Sequence, residues 1–104
     1  MPPVTVREAR EADLPRLIEL YRQLTLGPGD YDRQPEAAGS REAFAEMGRT
    51  PGFHLLVAED NGAVQGSVVL AILPNFSYRN RPWAVIENVV VDEGHRRRGI
   101  LFHF

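Results

Sequence analysis

One stretch of this sequence, an apolar β-branched run that ends in a turn rich in arginine and glycine, constrains the fold most strongly. The run covers residues 86–91 and the turn covers residues 92–100. β-Branched residues fit the pleated, half-buried surface of a strand, and a basic turn before a helix presents backbone N–H groups that attract anions. Gly99 would let an anion approach the backbone closely. The stretch predicts a strand followed by an anion site of pyrophosphate size, with a solvated basic turn as the alternative.

The composition limits the chain to one small domain. Its 104 residues are 43% hydrophobic and 25% charged, and they include no cysteine. These values match ordinary globular proteins, and a chain of this length buries one modest core. Disulfides are excluded, and the spacing of His54, His95 and His103 predicts no metal site. The sequence has no signal-peptide pattern and no run long enough to cross a membrane, so we expect a cytoplasmic protein without a membrane partner.

The charge distribution indicates where an anionic partner would bind. The formal net charge is -2, which argues against a nucleic-acid partner held by bulk electrostatics. All 12 basic residues are arginines, and three of them are consecutive at positions 96–98. We therefore expect a small anion at this turn.

The first half of the chain predicts a short strand and two helices. Residues 4–7 alternate as a strand does, and Asp13 can cap a helix after them. A loop over residues 27–39 then leads to a second helix over residues 40–48, which Ser40 caps. The apolar stripe of the first helix consists of Leu14, Leu17, Ile18, Tyr21 and Leu24.

The second half predicts three more strands. Residues 53–59 and 64–73 are apolar and β-branched, and Asp60-Asn61-Gly62 between them has the chemistry of a hairpin turn, so these strands should pair antiparallel. A loop over residues 74–82 precedes a last strand at residues 83–91. The expected order is strand, helix, helix and three strands.

Residues 86–100 resemble the acyl-CoA-binding motif of the GCN5-related N-acetyltransferase (GNAT) superfamily. That motif is an apolar strand followed by Arg/Gln-x-x-Gly-x-Gly/Ala, and Arg96-Arg97-Arg98-Gly99-Ile100 matches its first five positions. The hairpin at residues 57–66 is also similar to the family's second and third strands. The resemblance implies an α/β (α+β) fold, with a mixed, mainly antiparallel sheet flanked by helices. Residues 1–104 would form the N-terminal part of one such domain.

The resemblance also implies acetyl-CoA as cosubstrate and a set of residues around it. The strand would bind the pantetheine arm and the turn would bind the pyrophosphate. Direct transfer to an amine needs a base and, for the departing thiolate, an acid. We expect Glu87 to be the base, on the same strand face as Val89 and Val91, with pairing to an arginine, Arg79 or Arg81, as the alternative. The predicted cofactor-binding residues are Val89, Val90, Val91, Arg96, Arg97, Arg98, Gly99 and Ile100.

Two tyrosines, Tyr78 and Tyr21, are candidates for the thiolate acid, and Tyr78 is the one we assign. The acceptor would be a primary amine of a small molecule or peptide. Residues 85–91 are similar to the strand of glucosamine-phosphate N-acetyltransferases, although Asn88 stands where those enzymes have Asp, and this favours an amino sugar.

The pattern departs from the family after Ile100. Leu101 stands where the motif has Gly or Ala, and the chain ends three residues later. We expect a domain truncated after the turn, with weak or absent activity and with an exposed edge on the fourth strand. Such an edge favours a homo-oligomer that buries Phe102, Phe104 and neighbouring apolar residues. The alternative function is a non-catalytic module that binds CoA or phosphate, or that self-assembles.

Overall fold

The structure is a computed structural model that describes residues 4–24, 35, 37–96 and 99–104. Most of the predicted loop at 27–39 and the two arginines Arg97 and Arg98 lie outside the described residues. No helix in the described part is long and apolar enough to cross a membrane.

The fold is built on a four-stranded sheet in which sequence neighbours are also neighbours in space. The strands are β1 (Thr5–Glu8), β2 (Phe53–Asp60), β3 (Ala63–Leu73) and β4 (Trp83–Val91), in the order β1-β2-β3-β4. All three pairings are antiparallel. The predicted strands are therefore confirmed, with shifts of one residue at some ends. The predicted hairpin turn is also present, since Asn61 and Gly62 both have positive φ, 55° and 78°, as a tight hairpin connection requires.

Two α-helices cover one face of this sheet. They are α1 (Leu14–Arg22) and α2 (Ala37–Arg49), and a 3₁₀ turn at Glu11–Asp13 leads into α1. The predicted start of the second helix at Ser40 is wrong: Ser40 lies one turn inside α2, because the two alanines at 37 and 38 favour helix more strongly than Ser40 favours a cap. α1 packs on β3 and β4, whereas α2 packs on β2.

The core lies between these helices and the sheet. It includes Leu20, which is fully buried although the predicted stripe omitted it, while Leu24 packs beside the core beyond the end of α1. The buried members of the core are Leu17, Leu20, Leu55, Val57, Val64, Val69 and Val90.

The opposite face of the sheet is covered in part by the C-terminal residues, around Gly66. A 3₁₀ turn at Ile100–His103 follows Gly99, and Ile100 is 1% exposed. Gly66 of β3 makes this contact possible, since a Cβ there would lie 3.3 Å from Ile100 Cγ2 and 3.4 Å from a ring carbon of Phe104. Phe104 is half-buried within its own chain, and its predicted contact with another copy stays a prediction.

The strand β4 is less well covered than the rest of the sheet. It lies at the edge of the sheet, and within the described residues no strand pairs with its outer side. Large apolar side chains along it are exposed, with Ile86 at 64%, Trp83 at 53% and Val89 at 39%. The strand therefore offers both free backbone groups and apolar surface.

Candidate functional site

The ladder between β3 and β4 breaks at one point, beside Asn88. Glu87 pairs with Val69 and Val90 pairs with Ser67, so that Asn88 and Val89 stand together opposite a single residue of β3. Asn88 has φ 53°, a left-handed conformation that asparagine tolerates better than most residues. Two residues opposite one form a β-bulge, which bends the strand and leaves the extra residue unpaired. The bulge lies three residues before the end of β4.

The bulge changes which side chains share a face. We expected Glu87 to lie on the same face as Val89 and Val91, and this is wrong, because one inserted residue reverses the alternation. Paired residues of antiparallel strands point to the same side, so Glu87 shares the helix-covered face with Val90. Glu87 is nevertheless exposed at the sheet edge.

The alternative reading of Glu87, an ion pair with Arg79 or Arg81, is not found. Among the described residues, the carboxylate of Glu87 has neither arginine as a partner. With respect to the part of the chain that the structure describes, its oxygens are therefore open to solvent or to a ligand.

Helix α1 reaches the bulge through Tyr21. The Tyr21 side chain lies beside the Asn88 side chain. Burial raises the pKa of Tyr21, and the polar Asn88 side chain beside it lowers that pKa in part. The Tyr21 ring also lines an apolar cavity of about 110 Å³ between α1, α2 and β2. Tyr21 thus joins this cavity to the bulge on the helix-covered side of the sheet.

The turn after β4, residues 92–100, begins with a compact hydrogen-bonded bend. Asp92 Oδ1 accepts the Gly94 N–H at 2.9 Å, and the His95 N–H donates to the Asp92 carbonyl at 2.8 Å. Gly99 has φ 75°, and a Cβ there would meet nothing within 4 Å. Among the described residues, the space beside Gly99 is therefore open, and the predicted approach of an anion to this glycine stays a prediction. We call residues 92–100 the phosphate turn.

The Asp92 carboxylate is the meeting point of several donors. Arg16 Nη2 lies 2.9 Å and Gln23 Nε2 lies 3.2 Å from Asp92 Oδ2, while His95 Nδ1 lies 3.2 Å from Oδ1. Burial alone would raise the pKa of Asp92, but the hydrogen bonds from Gln23, His95, Arg16 and Gly94 outweigh it, and the pKa is held well below its usual range. The carboxylate is therefore charged at neutral pH and fixed in place.

The predicted cofactor-binding residues occupy different environments. Val89 is partly exposed, whereas the Val90 side chain is buried in the core at 3% exposure, so that only its backbone can face a ligand. Arg96 is exposed, and its Nε donates to the Val91 carbonyl at 3.1 Å. The Arg96 side chain thus satisfies the carbonyl of the last residue of β4 and lies against the end of that strand.

Tyr78 lies far from these groups. It belongs to a four-residue turn between β3 and β4, Ser77–Asn80, and it is 82% exposed. This connection joins β4 at Trp83, and the phosphate turn joins it after Val91. The eight residue-to-residue steps along β4, at about 3.3 Å each, place its two ends roughly 26 Å apart.

Sequence reasoning missed four residues that shape the site: Arg16, Gln23, Asn88 and Asp92. Two carried a signal, since asparagine in a β-branched run is typical of a bulge and Asp-x-Gly is typical of a bend closed by the aspartate side chain. Nothing local identified Arg16 and Gln23, whose partners are 76 and 69 residues away in the chain. In the described part of the chain, no three His, Asp or Glu side chains come together in a set that could hold a metal ion.

Comparison with known proteins decides the family. The model of the acetyltransferase (GNAT) family matches residues 11–101. The chain belongs to the GNAT acetyltransferase family. This assignment confirms the resemblance drawn from residues 86–100, and the antiparallel sheet with helices on its face is the fold expected for it.

Solved structures agree with this GNAT assignment. The chain is 38% identical to a "putative acetyltransferase" from Agrobacterium tumefaciens str. C58, with a TM-score of 0.79, and the match covers 92% of this chain and 64% of that one. It is 31% identical to an acetyltransferase from Trypanosoma brucei, with a TM-score of 0.70, covering 94% and 66%. Among curated proteins no match was found.

A third structure supports the fold alone. Glucosamine-6-phosphate N-acetyltransferase from Arabidopsis thaliana is 21% identical, with a TM-score of 0.72, and the match covers 98% of this chain and 71% of that one. The GNAT chain described here therefore spans about two thirds of the length of the proteins that it matches.

Proposed function

We propose that this GNAT chain transfers the acetyl group of acetyl-CoA to a primary amine of a small molecule or peptide. The observation that carries the proposal is the bulge at Asn88, which lies at the sheet edge and four residues before the start of the phosphate turn. An unpaired strand edge offers backbone partners for an extended ligand, and a turn with an open glycine suits a phosphate group. The two features are continuous along β4.

The edge of β4 and the phosphate turn would bind different parts of one elongated molecule. Backbone groups at Val89 and Val91 would pair with the amide-containing arm, with Arg96 giving up its bond to the Val91 carbonyl where the arm needs that oxygen. The backbone of Gly99 and Ile100 would bind the pyrophosphate. Arg96, together with Arg97 and Arg98, adds positive charge for that group. Acetyl-CoA would supply an activated acetyl thioester beside the bulge.

Glu87 is the proposed base. It directly precedes the bulge and its carboxylate lacks an arginine partner in the described residues. The carboxylate would take a proton from the amine, directly or through one water, as the amine nitrogen bonds to the acetyl carbon. The carbon–sulfur bond breaks in the same reaction, and the thiolate must then gain a proton.

A tyrosine would donate that proton. Tyr78 stays the residue proposed from the sequence, and Tyr21 is the alternative that its position beside Asn88 favours. Replacing each tyrosine by Phe separates them, since the true acid should lower the rate of transfer with little change in the affinity for CoA.

The acceptor would enter from the helix-covered side of the sheet. Glu87, Tyr21 and the apolar cavity of about 110 Å³ share that side. Relatives include an aminoglycoside acetyltransferase solved with sisomicin, at 23% identity, and glucosamine-6-phosphate N-acetyltransferase. An amino sugar is therefore among the primary amines to test.

The test combines binding and turnover. Titration calorimetry with acetyl-CoA should give a measurable dissociation constant, and a panel of amines should release free thiol in the presence of the protein. Glu87→Gln should abolish most transfer while binding persists, and Glu42→Gln, an exposed carboxylate of α2, serves as the control. Absence of binding at millimolar acetyl-CoA would refute the proposal, while binding without transfer to any amine would favour a non-catalytic CoA-binding module.

We also propose that the chain forms a homo-oligomer through the edge of β4, in the part before the bulge, which leaves the edge at Val89 to acyl-CoA. Trp83 and Ile86 are the exposed apolar residues that support it, since an apolar strand edge favours pairing with another strand. Sedimentation at micromolar concentration should give a mass above that of one chain, and Ile86→Arg should reduce it. Phe76→Arg, at an exposed apolar residue outside the strand, is the control. A monomeric mass for the unmodified chain would contradict this part.

A further inference from the structure

We propose that Arg16 and Gln23 of α1 are positioning residues for the phosphate turn and that both act through Asp92. Gln23 fixes the shape of the turn, and Arg16 cancels the negative charge that the turn carries at its start. The inference rests on the proposed binding of acyl-CoA by this turn.

Gln23 holds the turn by two opposite hydrogen bonds. Its Nε2 donates to Asp92 Oδ2 at 3.2 Å, and its Oε1 accepts the Glu93 N–H at 2.8 Å. The Gln23 side-chain amide therefore bonds the Asp92 side chain and the Glu93 backbone at the same time, and neither of these two residues can move without breaking a hydrogen bond. Gln23 follows directly after α1, and the helix fixes its position.

Arg16 joins three parts of the protein at the same place. Its Nε donates to the Val64 carbonyl at 2.8 Å, and its Nη2 donates to Gln65 Oε1 at 2.8 Å and to Asp92 Oδ2 at 2.9 Å. The Asp92 N–H in turn donates to the Gln65 carbonyl at 2.8 Å. Helix α1, strand β3 and the phosphate turn thus meet around one guanidinium.

Asp92 has two effects on an anion site, and they oppose each other. Its Oδ1 closes the bend by accepting the Gly94 N–H, which the turn needs for its shape. Its negative charge repels a pyrophosphate bound a few residues further on. The side chain is 17% exposed, so water screens that charge only in part. A fixed cation on the carboxylate removes the repulsion and keeps the shape.

Arg16 is suited to this task because it contacts Asp92 from the side of the helix. Arg16 is 29% exposed and its guanidinium is bonded on several edges. It would therefore stay on Asp92 when the ligand binds, instead of turning towards the phosphate.

The charge role is tested by titration calorimetry with CoA on four proteins: the unmodified chain, Arg16→Met, Asp92→Asn and the double variant. Arg16→Met should weaken CoA binding roughly tenfold at low salt, and the loss should shrink at high salt as screening increases. Asp92→Asn should bind at least as tightly as the unmodified chain. The double variant has no charge to cancel and should regain affinity to within about threefold.

A control variant and a folding check accompany this test. Arg22→Met removes an exposed arginine of the same helix and should leave the affinity unchanged. Thermal unfolding of each variant identifies a protein that has failed to fold. A folded double variant that binds as weakly as Arg16→Met would overturn the charge role, because only lost packing or lost hydrogen bonds would then explain the single variant.

The shape role is tested without any ligand. Gln23→Ala removes both bonds to the turn, so the backbone amide of Glu93 should exchange with solvent at least tenfold faster, while that of Ala9, bonded to the Leu55 carbonyl, should be unchanged. Unchanged exchange at Glu93 would overturn the role of Gln23. If the unmodified chain binds no CoA, the proposed function fails; the charge role fails with it, and the exchange result alone then decides whether Gln23 fixes the turn.

Discussion

Two arginines hold carboxylates in nearly the same way near opposite edges of the sheet, and only one of them contacts the candidate site. Arg7 on β1 bonds Asp13 and Glu59 at 2.6–2.9 Å, and Arg16 on α1 bonds Asp92 at 2.9 Å. The side chains of both pairs are largely buried, between 11% and 29% exposed. Chemistry and burial alone therefore do not distinguish a structural ion pair from a functional one.

The difference lies in what each arginine connects. We call each arginine with its carboxylate partners a node. The Arg7 node joins β1, β2 and the 3₁₀ turn before α1, all of which lie away from the phosphate turn. The Arg16 node includes Asp92, the first residue of that turn. Breaking the first should change stability alone, whereas breaking the second should change the affinity for CoA.

The largest effect on stability is expected from Arg7→Met. This change leaves Asp13 and Glu59 facing each other without a cation, and we expect the free energy of unfolding to fall by about 2 kcal/mol. That is below the loss typical of a fully buried pair, because water screens this node in part. Urea unfolding measures the change. An unaltered CoA affinity in Arg7→Met would support a purely structural role for Arg7, in contrast to Arg16. An equal loss of affinity in Arg7→Met and Arg16→Met would contradict that difference.

Acid should weaken both nodes. The hydrogen bond from Arg7 holds the pKa of Asp13 below its usual range, despite burial, which raises it, and the pKa of Asp92 is also lowered. The unfolded chain, with carboxyl pKa values near 3.9, then binds protons before the folded one does. The stabilisation is thus complete above about pH 5 and is lost as the pH falls below about 4.

Urea unfolding between pH 7 and pH 3 checks this expectation. Asp13→Asn and Asp92→Asn should each reduce the slope of stability against pH in the acid range, because each removes one titrating group. A slope that neither substitution alters would show that other carboxylates carry the acid sensitivity.

A smaller effect is expected from Tyr21→Phe. The change removes the Tyr21 hydroxyl, which lies beside Asn88, and should lower the free energy of unfolding by about 1 kcal/mol. Tyr78→Phe, at an 82% exposed side chain, should change it by less than about 0.5 kcal/mol. Equal effects in unfolding experiments would mean that the contact between α1 and the bulge does not hold β4.

The sequence predicted the parts of the fold that have a local cause. The hairpin followed from Asn61-Gly62, β4 followed from its β-branched run with both ends correct, and the family followed from Arg96 to Ile100. The start of α2 was misplaced, because a capping serine is a weaker signal than two alanines before it.

The parts that sequence reasoning missed depend on register or on distant contacts. One inserted residue at Asn88 moved Glu87 to the other face, and alternation along a strand cannot reveal an insertion that its partner strand defines. The partners of Asp92 lie on a helix about 70 residues earlier, so the positioning of the turn became visible only in the fold. The roles of Glu87 and Tyr78 and the truncation stay predictions.

The central claim is that the edge of β4 and the phosphate turn form one site for acyl-CoA. The most direct test is a titration of the ¹⁵N-labelled chain with CoA, followed by amide chemical shifts. We expect saturable shifts at Val89, Val91, Gly94 and Gly99, with those of β1 and α2 unchanged. No saturable shift at these four amides at millimolar CoA, or shifts confined to β1 and α2, would contradict the claim.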